Sequence, residues 1–258
     1  MSRIARATVD GATVFGEVED RSFHPLAGDP YSGARRTGAS VPLDGITLLS
    51  PSVPRKMLMM MGGFMPADGS PLPPDAVPWL TPKIPSWVNG DGAELAVPPF
   101  LTKDLWVEPE LAIVIGREIH RASREEAKEA ILGFTCFNDS TASEYLPAGD
   151  WWRAKSIEGF ATMGPWVDTD LTEEDILEGL ALRCRVNGQS RCDANTSRLK
   201  WPVSYVVSFA SQYTTLYPGD VISLGTPQPG IDVHPGDECE IEVEGIGVLH
   251  NTVVAEKA

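Results

Sequence analysis

Chemistry in this chain concentrates at Glu108 and Glu110, two carboxylates two residues apart in the run Leu105-Trp106-Val107-Glu108-Pro109-Glu110-Leu111-Ala112-Ile113-Val114-Ile115-Gly116. On a strand, residues i and i+2 share a face, so the carboxylates project together while Val107, Leu111, Ile113 and Ile115 face the other way. A strand with one wet face is the bland explanation of such a pair. Neighbouring anions, however, repel unless a cation lies between them. Pro109 removes a backbone donor and suggests an edge or rim position. A second apolar run, Phe134-Thr135-Cys136-Phe137-Asn138, ends in Asp139. Three carboxylates with no histidine or cysteine beside them suit a hard divalent ion, Mg2+ first with Mn2+ or Ca2+ as substitutes. Such a set leaves coordination positions for water or a chelating substrate.

The elements that must position these residues read mainly as strands. Residues 3–26 alternate in short apolar and polar steps around an Asp10-Gly11 turn, a hairpin signal, and 28–40 is a Gly, Pro and Arg-rich loop. Residues 1–50 therefore read as a small N-terminal β appendage and 51–258 as a second, larger domain. Lys56 to Met61 is an apolar strand candidate, followed by Gly62-Gly63, which either lets a loop approach a ligand or forms a plain turn. The proline-rich stretch 71–85 reads as ordered but irregular, and long loops beside a site can be lids. Ser123 with Glu126 forms a capping box opening a helix that Gly133 is expected to end. Thr172 with Asp175 caps another helix, and Pro202 starts a third running to Gln212. Pairing across an Asn187-Gly188 turn opposes Cys184 to Arg191, so Cys184 and Cys192 are expected on opposite faces and all four cysteines reduced.

The totals bound the function class. At 258 residues the chain can bury a sizeable core. Its 21 basic against 36 acidic residues give a net charge of -15, which disfavours nucleic-acid and membrane partners. No apolar run approaches a membrane span, and the start Met1-Ser2-Arg3-Ile4-Ala5-Arg6 lacks the apolar core of a signal peptide, so a cytoplasmic location is expected.

Six motifs in order now share a pattern: Glu108-Pro109-Glu110-Leu111-Ala112-Ile113-Val114-Ile115-Gly116; Asn138-Asp139-Ser140-Thr141-Ala142; Arg153-Ala154-Lys155-Ser156 with Phe160 and Gly164-Pro165-Trp166; Val186-Asn187-Gly188; Gly219-Asp220, Ile222 and Gly225-Thr226-Pro227; Glu244-Gly245-Ile246-Gly247, Leu249 and Asn251. Over roughly residues 54–254 the chain resembles the fumarylacetoacetate hydrolase superfamily. The resemblance implies a β-rich α+β fold of layered, barrel-like sheets with a few short helices, commonly a homodimer. It also implies a small-molecule substrate, a 2-oxo acid or 1,3-dicarbonyl compound. It makes Asp139 the third metal ligand beside Glu108 and Glu110. Lys155 would put a positive charge on the developing oxyanion, and Gly225 and Thr226 would hold a carbonyl or carboxylate. Lys83, in Lys83-Ile84-Pro85-Ser86, would face the site. A chelated dicarbonyl suits enolate chemistry. The implied default is carbon–carbon bond hydrolysis, with a lyase or isomerase (decarboxylase, hydratase or tautomerase) and a non-catalytic binding homologue as alternatives.

The match breaks where hydrolytic members carry G-x-N-Y-x-x-H-x-x-E. Here the same stretch runs from Gly62 to Pro71, with Asp68 at the histidine's place and Pro71 at the glutamate's. Asp68 is the candidate general base, a role that requires its pKa to be raised. None of His24, His120, His234 and His250 lies in a matching motif. After Ala142 the family's Arg-Asp is replaced by Ser143-Glu144-Tyr145, which argues against a substrate with several carboxylates. The Met, Trp and Pro content of 57–87 points to a more apolar substrate.

Overall fold

In a computed structural model, which describes residues 3–103 and 105–256, the Pro109–Ile115 strand lies inside the largest sheet with both faces covered. Met1 and Ser2, part of the start read above for targeting, lie outside the described residues. The strand pairs antiparallel with Ile131–Asp139 on one side and with Val221–Ser223 on the other. Beyond Ile131–Asp139 follow Ala161–Asp168 and then the N-terminal strands Arg3–Val9, Ala12–Glu19 and Ser22–Pro25. Beyond Val221–Ser223 lie Met57–Met61 and Trp79–Lys83. A five-stranded sheet containing Ala181–Val186, Glu238–Val243 and Gly247–Ala255 and a three-stranded sheet of Leu105–Val107, Thr141–Ala142 and Ile231–Val233 complete the β framework. The expected β-rich α+β fold of layered sheets with few helices is the one observed.

The alternation in the Glu-x-Glu strand is decisive for this layering. Leu111, Ile113 and Ile115 join the core shared with Leu182, Ile241 and Leu249 of the five-stranded sheet. Ala112 and Val114 join a second core with Met57, Met59, Phe137 and Met163. No wet face exists on this strand: all seven residues are buried. Pro109 does not mark an edge strand. It is the first residue of an interior strand, pairing with Asn138 before pairing with Val221–Ser223 begins at Ala112, and a strand's first residue tolerates proline.

Both expected capping boxes form, Ser123 with Glu126 and Thr172 with Asp175. The first helix, Arg124–Glu129, ends before Gly133, which sits inside the Ile131–Asp139 strand instead. A Cβ on Gly133 would lie 2.1 Å from the Asp168 carbonyl oxygen, so glycine serves close strand approach there rather than helix termination. The stretch expected to be irregular contains a strand, Trp79–Lys83, where Pro82 is tolerated because the strand is at the sheet's edge. The cysteine register also differs: an irregularity between Cys184 and Arg185 sets Cys184 opposite Cys192, so the two share a face. Both are buried free thiols, and burial pushes Cys184 up to about 12. Among the described residues no helix is long and apolar enough to cross a membrane.

Gly133→Ala should lower stability by about 1–3 kcal/mol in urea unfolding, because the strands must part to admit the methyl group. Gly45→Ala, with open space around its Cβ position, should change it by less than about 0.5 kcal/mol.

Candidate metal centre and its pocket

Glu108 sits at the joint where Leu105–Val107 of the small sheet passes into Pro109–Ile115 of the large one. The antiparallel register Pro109↔Asn138 brings Asp139 alongside, and its backbone N–H donates to the Glu108 carbonyl at 3.1 Å. Carboxylate oxygens of Glu108, Glu110 and Asp139 all lie within 4.8 Å of one another, and all three residues are buried.

Two lysines from distant segments enter this cluster. Lys155, last residue of the short helix Trp151–Lys155, donates through Nζ to Glu108 Oε2 and to Asp139 Oδ2, the latter at 2.5 Å. Lys83 Nζ, also buried, donates to Asp139 Oδ1 at 2.5 Å and to the Ser140 carbonyl at 3.1 Å. The Thr141 hydroxyl donates to Glu108 Oε2 at 2.6 Å. Asn138 Oδ1 accepts the Glu108 N–H at 3.3 Å, and its amide donates to Asn251 Oδ1 at 3.1 Å.

Three buried carboxylates face two ammonium groups, both of which bond to Glu108 or Asp139, so Glu110 is the carboxylate left without a lysine partner. Glu110 Oε2 is buried without a hydrogen-bond partner. Burial, reinforced by the charges of Asp139 and Glu108, pushes the Glu110 carboxyl well above the usual range. Burial would raise Asp139 as well, but Lys155 and Lys83 outweigh it and hold that carboxyl below its ordinary value. For Lys155, burial opposes the charge and the three carboxylates overcome it, so its pKa is raised. For Lys83, burial prevails over Asp139 and the pKa falls. An all-oxygen set with an orphaned carboxylate oxygen and more carboxylates than ammonium groups fits a hard divalent cation.

The cluster opens through Glu108 and Lys155 onto a pocket of about 370 Å³ walled by Phe64, Met65, Trp106 and Thr226. Thr226 Oγ1 is buried and unpartnered. Gly225 has φ +84°, and a Cβ there would stand 2.7 Å from the Met60 carbonyl oxygen, so only glycine brings this loop so close to the neighbouring strand. A larger cavity of about 510 Å³, between residues 47–54 and 85–93, contains none of the three carboxylates.

Asp68 is not brought to the cluster. Its Oδ1 accepts from Ser70 N at 2.9 Å and from Ser70 Oγ at 2.6 Å, closing an exposed local turn. Those hydrogen bonds lower its pKa, the opposite of what a general base requires. Lys83 does reach the cluster, but beneath Asp139 rather than in the pocket lining. Thr141, Asn138 and Asn251 escaped the sequence reading as participants, although each stands within a matched motif. Their signal was polarity inside otherwise apolar strands.

A family model described as Fumarylacetoacetate (FAA) hydrolase C-terminal matches residues 66–254, and one described as Rv2993c-like, N-terminal matches residues 2–51. The chain belongs to the fumarylacetoacetate hydrolase family. It is 34% identical to Protein Rv2993c of Mycobacterium tuberculosis over 97% of this chain and 94% of that one. It is 30% identical to a human mitochondrial oxaloacetate tautomerase over 86% of this chain and 76% of that one. The crystal structure of 2-hydroxyhepta-2,4-diene-1,7-dioate isomerase from Mycobacterium marinum superposes with a TM-score of 0.90 at 30% identity, covering 100% of both chains.

Mg2+ should raise the melting temperature of the wild type, since an ion that binds only the folded chain stabilises it by mass action. Glu110→Gln removes one candidate ligand carboxylate and should abolish most of that shift; because burial favours the neutral form of this carboxyl, its amide analogue should melt no lower than the wild type in EDTA, measured by differential scanning fluorimetry.

Proposed function

We propose that the protein is an Mg2+-dependent enzyme that moves a proton α to the carbonyl of a 2-oxo acid or β-dicarbonyl compound, as a tautomerase or isomerase does. The observation that carries this reading is the buried carboxylate cluster opening onto the pocket through Glu108 and Lys155. Similarity to the oxaloacetate tautomerase and to the dioate isomerase supports the same reaction class. Hydrolysis needs a water-activating base, and Asp68 lies in its own exposed turn.

Glu108, Glu110 and Asp139 would hold the ion, which as a Lewis acid would stabilise negative charge on the substrate oxygen. Lys155 Nζ has three donors, two of them committed to Glu108 and Asp139. Its third donor would serve the oxygen on which charge develops as the α-proton passes to solvent water in the pocket, from which a proton returns to complete the tautomerisation. Thr226 Oγ1, buried with no protein partner, binds a second substrate oxygen, and Gly225 sets its position. Lys83 and Thr141 touch no substrate; they orient Asp139 and Glu108.

Solvent-deuterium exchange at the α-carbon of oxaloacetate and of an acylpyruvate, followed by NMR, tests the proposal. Exchange above the metal-only background should appear with Mg2+, vanish in EDTA, and fall roughly 10²–10³-fold in Lys155→Ala. Asp68→Ala should stay within about twofold of wild type. Metal-independent activity would reject the reading, and incorporation of solvent 18O into a cleaved acid product would replace it with hydrolysis.

A further inference from the structure

We infer, on the basis of that proposed reaction class, that the substrate's far end is a neutral aryl or alkyl group rather than a second carboxylate. Away from Glu108 and Lys155 the pocket wall includes Phe64, Met65, Trp106, Leu146, Trp151 and Pro227, with Thr226 and Gln228 as its polar side chains, and Gln228 Nε2 donates to the Arg191 carbonyl at 2.9 Å. The two indoles are held in place. Trp106 Nε1 donates to Asp232 Oδ1 at 2.6 Å, tying its polar edge to the neighbouring strand. Trp151 packs edge-on against Trp79, with ring centroids 5.6 Å apart and planes at 76°. Rigid aromatic walls of this kind favour a flat apolar group and offer an anionic one no ionic partner.

Cations near the pocket are committed or placed outside it. Lys155 is the one cationic side chain among the described lining residues, and it already serves Glu108 and Asp139. Arg198, in the adjoining cavity, spends Nη2 on the carbonyls of Met65 at 3.2 Å and Pro66 at 2.9 Å, which fixes the wall segment carrying Phe64 and Met65. Arg183 pairs with Glu242 at 2.9 Å and with Asp193 at 3.6 Å. Two further lysines are not among the pocket's described lining residues: Lys103 lines the surface cavity that shares Trp106 and Leu146. Lys200 Nζ stands over the Trp201 ring at 5.7 Å, next to Gly62. A tail carboxylate inside the pocket would therefore lose hydration with no cationic side chain among the described lining residues except Lys155, which two carboxylates already share.

The test uses two 2,4-dioxo acids of equal length, one ending in a phenyl group and the other in a carboxylate, with the full chain in Mg2+ buffer. Affinity is measured by calorimetry and, where turnover occurs, kcat/KM is measured too. The phenyl compound should be preferred on the order of 100-fold, and Trp106→Ala should erase at least about tenfold of that preference. Lys103→Gln and Lys200→Gln should each leave the ratio within about twofold. Equal affinity, or a preference for the carboxylate compound that either lysine variant removes, would overturn the inference while leaving the reaction class intact. If neither compound binds in Mg2+ buffer, the chelating-substrate reading fails and this inference fails with it.

Discussion

Mutual repulsion among Glu108, Glu110 and Asp139 is the constraint on which the rest of the structure depends. Three carboxylates buried within 4.8 Å of one another cannot all ionise without compensation, and the fold brings two lysines from separate segments to meet them. The compensation is incomplete, and the shortfall rests on Glu110, whose Oε2 has no partner. Such a residue is costly to bury in a purely structural role and well suited to a cation.

The sheets convert that electrostatic need into fixed geometry. Glu108 sits at the joint between two sheets, Asp139 at the end of the adjacent antiparallel strand, and Lys155 at the last turn of a short helix leading out of the same region. Apolar cores on both faces of Pro109–Ile115 stop the carboxylates from relaxing apart. Thr141 and Asn138 fix Glu108 from its own surroundings, so the group that faces the pocket is held before any ligand arrives. Stability and the proposed function are thereby linked: what the cluster costs in the folded chain would be returned by a divalent ion bound there.

Much of this was legible in the sequence, because the relevant signals are local. Period-two alternation placed Glu108 and Glu110 on one face, and apolar runs ending in acid located Asp139. The layered β-rich fold followed from the same motifs. What escaped depended on partners distant in the chain. Gly133 looked like a helix stop until the Asp168 carbonyl beside it gave another reason for glycine. Pro109 looked like an edge because nothing local reveals that Val221–Ser223 pairs only from Ala112 onward. One irregularity after Cys184 reversed the expected facing of two cysteines. Asp68 aligned with a catalytic histidine by counting, yet Ser70, two residues away, captures its carboxylate.

The most direct measurement is a crystal structure of the Mn2+-loaded protein with anomalous data collected at the manganese edge. One strong peak per chain, about 2.0–2.6 Å from oxygens of Glu108, Glu110 and Asp139, is the predicted result. A peak at another position, or none at saturating Mn2+, would contradict the assignment of this cluster as the metal centre.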